Sequence, residues 1–289
     1  MPRVAVITDT DSSLPLDLAA RYDIDLVPIL VNFGEETLRS GIEIGDAEVF
    51  TRVDREGKLP TTAAPSPGDF QRAFEEAFVK GAEAILCICV SSVISGTYNA
   101  ALVAAQALEE GPWRGRPIRV LDARTLSMSQ GFMALAAAEA VRAGASLEEA
   151  EARARKVGER TFLYASLATL KYLAMSGRVG YLAAGMASLL NVKPILTVRE
   201  GKLDMLERVR TERRAWERVI ELTAQALDGA PPERLAILHV AVPEAAQAFA
   251  EQLCARIPCP PDRLIVELGA GLSVHSGAGM VGVAGVKAV

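Results

Sequence analysis

Through the first half of the chain, short runs of β-branched residues alternate with longer amphipathic stretches. Residues 3–8 (R-V-A-V-I-T) read as a buried strand, 9–13 as a polar turn and 15–22 as a helix. Residues 26–33 form a second apolar run. Ser66-Pro67-Gly68-Asp69 is a helix-start signal, with a capping hydroxyl, a proline in the first turn and an acid three residues on. Phe70, Phe74 and Phe78 then recur at i, i+4 and mark one buried face. A strand at 84–90, a helix at 95–108, a strand at 118–121 and helices at 129–142 and 147–158 complete this half. Such alternation predicts an α/β fold with a doubly wound, mostly parallel sheet.

The second half is less regular. Residues 162–175 are apolar and mixed, and 194–198 with 203–209 read as a hairpin around Glu200-Gly201. A helix at 215–227, a strand at 235–242, a helix at 245–255 and a strand at 263–268 follow. The glycine-rich stretch 269–279 then leads into a last strand at 280–286. This order predicts a smaller α+β domain with a mixed sheet, dividing the chain into domains at 1–158 and 159–289. No internal repeat is evident.

Composition narrows the class. Half of the 289 residues are apolar, and 31 basic against 36 acidic residues leave a net charge of −5. No global basic field recruits nucleic acid or anionic lipid. No apolar run approaches the ~18 residues of a membrane helix. The apolar core at 4–7 is too short for a signal peptide, so a cytoplasmic, non-membrane protein is expected. Of the four cysteines, Cys87 and Cys89 fall in a strand. Cys254 and Cys259 flank Pro258 with no C-x-x-C spacing and no nearby His. All four are expected to be reduced, buried thiols.

Three polar clusters lie where strands end and helices begin, the edge at which open α/β sheets bind ligands. In Thr8-Asp9-Thr10-Asp11-Ser12-Ser13, the Asp-x-Asp after the first strand has the form of a Mg²⁺-dependent, haloacid-dehalogenase-like phosphatase. No convincing downstream Lys and acids complete that set. The plainer reading makes Asp9 or Ser13 the cap of the helix near Pro15. Pro60-Thr61-Thr62-Ala63-Ala64-Pro65-Ser66 and Ser91-Ser92-Val93-Ile94-Ser95-Gly96-Thr97-Tyr98 each place hydroxyls before a helix. Free N–H groups and the positive dipole end favour an anion there. Thr62 and Ser95 add donors, and Gly96 admits close backbone approach. Neither a P-loop nor G-x-S-x-G is present, so a carboxylate fits better than a polyphosphate and Ser95 is a poor esterase nucleophile. The alternative is two N-caps with no ligand.

Two histidines exist. His239 lies mid-strand and reads as a satisfied core residue, whereas His275, among glycines in a loop, is placed to meet a ligand. One isolated His cannot make a zinc site. Arg178 follows a helical segment whose terminal carbonyls a cation satisfies. In 208–214 arginines interleave with acids, as on a solvated helix face.

Taken in order, Asp9-x-Asp11-Ser12-Ser13, Pro60-x-Thr62-x-x-Pro65-Ser66-Pro67-Gly68, Ser95-Gly96-Thr97-Tyr98, Ser176-Gly177-Arg178, Lys193-Pro194-Ile195-Leu196 and His275-x-Gly277-x-Gly279 resemble the DegV family along essentially the whole chain. Ala63-Ala64 stands where the family has Ser-Gln, and Ala278 where it has Pro. The resemblance implies a fatty-acid carrier with an acyl tunnel between two domains. It holds a long-chain acid such as palmitate and needs no cofactor or metal. It also implies a non-catalytic subunit of fatty acid kinase. A separate ATP-binding subunit would phosphorylate the carboxylate to an acyl phosphate for phospholipid synthesis. By motif, Thr62, Ser95, backbone N–H near Gly96, and His275 would hold the carboxylate, with Arg178 toward the kinase subunit. Burying a sixteen-carbon tail gains on the order of 10 kcal/mol at ~0.8 kcal/mol per CH₂. Ordering the chain offsets part of that gain. The rival readings are the phosphatase using Asp9 and Asp11 and a purely regulatory interaction protein.

Overall fold

The computed structural model describes residues 3–177 and 192–289. Strand β1 (Val4–Asp9) is apolar on both faces and sits inside a parallel sheet of four strands. Its neighbours are β2 (Ile24–Val27) and β6 (Ala84–Cys89), with β7 (Ile118–Asp122) outside β6. Val6 pairs with Ile24 and with Leu86, and Ile88 with Leu121. Helices α3 (Pro67–Val79) and α4 (Thr97–Glu110) pack on one face through Phe70, Phe74, Phe78, Ala101 and Ala104. The signal at Ser66 is a true capping box: Asp69 N–H donates to Ser66 Oγ at 3.2 Å, and Ser66 N–H to Asp69 Oδ2 at 2.7 Å.

The apolar run at 26–33 is not one strand. Pro28 has no N–H for a ladder, and the chain restarts as β3 (Leu30–Phe33) in a different sheet. There β3 pairs antiparallel with β4 (Glu36–Arg39) and β5 (Thr61–Ala63), with α2 (Asp46–Glu56) inserted between those two in the chain. This small sheet carries Thr62 opposite Val31.

The second half builds a mixed six-stranded sheet in the order β10-β9-β8-β13-β11-β12. Its strands are β8 (Thr161–Ser166), β9 (Lys193–Arg199), β10 (Lys202–Val209), β11 (Pro232–His239), β12 (Leu264–Glu267) and β13 (Val281–Lys287). Only the β11–β12 pairing is parallel. The expected hairpin is β9–β10, turning at Glu200 and Gly201, both at positive φ. Helices α8 (Glu212–Leu227) and α9 (Pro243–Cys254) bury Val219, Leu227, Phe249 and Leu253 against this sheet.

Between the two large sheets runs α5 (Met128–Arg142), buried continuously from Met128 to Ala138. Its small and apolar residues suit a helix with no solvent face over that stretch, and a single core cluster joins Leu86 and Ile88 to Phe132, Leu163 and Val286 around it. Helix α6 (Leu147–Gly158) has its own capping box at Ser146 and Glu149. Short helix α7 (Lys171–Met175) follows β8. The glycine-rich stretch 269–279 is not a loop throughout: it holds α10 (Ala270–Ser276). Among the described residues, no helix is long and apolar enough to cross a membrane.

One expectation for the cysteines fails. Cys254 and Cys259 form a disulfide, because the chain turns immediately after α9 and brings their Cα atoms to 5.3 Å. Cys87 and Cys89 remain free thiols, buried on the same face of β6.

Candidate functional site

Helix α10 belongs to the second half of the chain but docks on elements of the first, meeting the Asp turn, α2, β3 and β5. Its glycines allow this. A Cβ on Gly269 would strike Thr10 O and one on Gly271 the Asp11 carboxylate and Ile29, while just past the helix a Cβ on Gly277 would strike the Tyr172 ring of α7. Gly277 also sits at φ +81°, which a side chain would strain. Ser13 Oγ accepts from Gly269 N–H at 3.3 Å and so anchors the start of the helix.

This docking brings His275 to Thr62: Nε2 and Oγ1 are 2.8 Å apart across 213 residues of sequence. His275 is half-buried and held at the end of a helix, not in the loop expected from its glycine neighbours. Ser95 lies in the turn after β6, where Ile94 and Ser95 N–H groups return to Ser91 O at 3.0 and 3.1 Å. Its hydroxyl is 2.8 Å from Thr97 Oγ1 and accepts from Thr97 N–H at 3.3 Å. Gly96 is the first residue outside α4, with an ordinary φ of −73°. The space where its side chain would stand is open apart from Ala64 Cβ at 3.9 Å. Thr62 and His275 are therefore in direct contact. Gly96 lies against the segment that carries Thr62, with Ser95 beside it. Arg178 lies outside the described residues.

His275 also lines a cavity whose remaining wall is almost wholly aliphatic. Leu163 and Ala165 of β8 contribute by strand alternation, with Leu167 just beyond its end, joined by Leu196, Leu203, Leu238 and others from the second half. Ile94, Leu126 and Ser127 close it from the first half. A larger and more polar cleft of about 540 Å³ lies beyond Leu163, which lines both. That cleft contains none of the residues expected to bind a carboxylate.

The Asp turn does different work from either role expected for it. Asp9 is fully buried, and Asp9 Oδ1 accepts from Asp11 N–H at 3.0 Å, capping the 3₁₀ turn Thr10–Ser12. Asp9 Oδ2 accepts from Val90 N–H at 2.8 Å and Gln130 Nε2 at 3.1 Å. Helix α1 (Leu16–Tyr22) starts at Pro15 with no side-chain cap, so neither Asp9 nor Ser13 caps it. Burial pushes the Asp9 pKa up from 3.8 to about 6 against the pull of those hydrogen bonds. A carboxylate whose oxygens are occupied by internal donors presents no nucleophile to a phosphate ester. Thr10 Oγ1 accepts from Ile29 N–H at 2.9 Å, and Asp11 O accepts from Ser127 N–H at 2.8 Å. The turn thus ties β1, β3, α5 and α10 together.

His239 ends β11 and is buried, but it is not satisfied: its Nδ1 has no hydrogen-bond partner among the described residues. Burial lowers its pKa, opposed by Glu244. The cavity leucines were not singled out from the sequence as site residues. Their one signal is the period-two pattern at 163, 165 and 167. Ser127 had no signal at all.

Comparison with known proteins gives a consistent picture. A family model described as "Uncharacterised protein, DegV family" matches residues 3–288. A DegV domain-containing protein of Streptomyces coelicolor is 36% identical over 280 residues, 97% of each chain. Among solved structures, a fatty-acid-binding DegV family protein from Thermus thermophilus shares 34% identity and a TM-score of 0.88, covering 99% of this chain and 100% of its own. DegV from Bacillus subtilis, described as a fatty acid binding protein, shares 30% identity at the same TM-score and coverage.

Proposed function

Because the chain belongs to the DegV family, we propose that it binds a long-chain fatty acid and presents the carboxylate to a separate enzyme. The tail lies in the leucine-lined cavity. Thr62, Ser95, the backbone at Gly96, and His275 hold the head group. The observation that carries this reading is the double placement of His275, which is part of the apolar cavity wall and hydrogen-bonded to Thr62. A fatty acid needs that junction: apolar surface for its methylenes, and donors so that its charge is not buried unpaired.

In this reading the chain is a non-catalytic, cytoplasmic carrier of two domains, 1–158 and 159–289, that closes over the tail. An ATP-binding kinase subunit phosphorylates the presented carboxylate to an acyl phosphate for phospholipid synthesis, and Arg178 is the residue assigned by motif to contact with that subunit. The family relationship and the incomplete burial of Thr62 and His275 support it. The test is to denature the purified protein, extract it with organic solvent and identify the extract by mass spectrometry. A stoichiometric long-chain fatty acid is expected. An empty extract, with no uptake of added fatty acid by the folded protein, overturns the reading.

A further inference from the structure

Thr97 opens α4 and is fully buried, whereas Ser95 is half-buried beside the exposed Gly96. The two hydroxyl oxygens are 2.8 Å apart, so one donates its proton to the other. Burial decides which. Thr97 Oγ1 has no other hydrogen-bond partner among the described residues and no access to water. If Ser95 donated, the Thr97 proton would be stranded in the interior without an acceptor, which burial penalises. The buried hydroxyl is therefore the donor and the half-exposed one the acceptor. Thr97 N–H also donates to Ser95 Oγ, at 3.3 Å. A serine oxygen carries two lone pairs and one proton. Thr97 alone thus engages both lone pairs, and the Ser95 proton is the capacity that remains.

That proton belongs to the candidate head-group site. Gly96, next to Ser95, lies against Ala64 of the segment that carries Thr62, and Thr62 meets His275. We propose that Thr97 is a positioning residue: it holds Ser95 as a pure proton donor, so that the site favours a carboxylate over a neutral head group that must also donate. This rests on the fatty-acid reading above. An ionised carboxylate only accepts, and so matches a hydroxyl with nothing left but its proton. A donor onto Ser95 Oγ also strengthens the bond that Ser95 itself gives. The hydroxyl of a fatty alcohol brings a proton of its own, for which Ser95 has no free lone pair.

The experiment measures affinities for hexadecanoic acid and hexadecanol in wild type, Thr97→Ser, Thr97→Val, Thr97→Ala, and Ser95→Ala alone and combined with each of the last two. Circular dichroism establishes which variants are folded, and two ways of removing the Thr97 hydroxyl keep the test open if one of them is not. Thr97→Val and Thr97→Ala are expected to weaken the acid about fivefold, the scale of one hydrogen bond, and to lower the ratio of acid to alcohol affinity. Thr97→Ser, which keeps the hydroxyl, restores the wild-type affinity. With Ser95→Ala in place, removing the Thr97 hydroxyl has no further effect, because Thr97 acts through Ser95. Unchanged acid affinity in a folded Val or Ala variant, an equal loss for the alcohol, or a loss that persists beside Ser95→Ala overturns the proposal and leaves fatty-acid binding intact. Failure of wild type to bind the acid overturns both.

Discussion

Replacing Asp9 with asparagine converts the buried carboxyl into a group that never ionises, and its consequence can be worked out before it is made. The folded protein raises the Asp9 pKa from 3.8 to about 6, burial outweighing the hydrogen bonds from Val90, Gln130 and Asp11. The folded state therefore holds this proton more tightly than the unfolded chain. Its contribution to stability is complete below pH 3.8, falls as pH rises, and is gone once pH has passed about 6. A difference of about two pKa units corresponds to ~3 kcal/mol. An asparagine side chain is also a poorer partner for three converging donors, so the variant starts from a different absolute stability, and the informative quantity is the slope. Urea unfolding of both proteins at intervals from about pH 4 to pH 7 gives it directly. Subtracting the variant removes the titrations of other groups, such as His239 and Glu267. Wild type should lose ~3 kcal/mol relative to Asp9→Asn across that range. A flat difference, or one that rises with pH, would mean that the hydrogen bonds outweigh burial and that the carboxylate is held as an anion.

Other outcomes are equally open to measurement. Thr62→Val combined with Ser95→Ala should lower fatty-acid affinity more than tenfold, as expected for loss of two hydrogen bonds to a charged group; isothermal titration of the folded double variant checks it. Leu163 separates the cavity from the polar cleft, so Leu163→Ala should join them and shift preference toward longer acids, read from affinities across a chain-length series. Thiol titration of the denatured, unreduced protein should find Cys87 and Cys89 alone. Reducing the Cys254–Cys259 bridge should cost about 2 kcal/mol of stability for so short a loop, measured by denaturation with and without reductant.

The sequence was most legible where local chemistry and tertiary demand agree. Helix α6 was expected at 147–158, and Ser146 caps it with Glu149 as the capping partner. The β9–β10 hairpin was announced by Glu200-Gly201. Legibility failed where distant contacts override local preference. Seven residues of a glycine-rich stretch become α10 because Gly271 and Gly277 permit contact with Asp11, Ile29 and Tyr172 that a side chain would forbid. No local pattern carries that information. The small sheet of β3, β4 and β5 was missed because its short strands carry little apolar alternation, and Pro28 interrupts a run that otherwise looks continuous. For the candidate site, the hydroxyls were visible in the sequence as residues preceding helices. The pairing of Thr62 with His275 was visible only through the family resemblance. The failure at Cys254 and Cys259 has a similar origin: spacing alone did not indicate that the chain reverses after α9.

The docking of α10 sets an order of events during synthesis. The four-stranded sheet and the segment bearing Thr62 come from early residues, and domains tend to fold as they emerge. His275 arrives 213 positions later, and β13 follows it into the centre of the second sheet. A nascent or truncated chain therefore displays hydroxyls and part of a greasy wall but lacks the imidazole that joins them. If the proposed fatty-acid reading holds, competence to capture a ligand comes only with chains translated past α10, once that helix has closed onto the Asp turn.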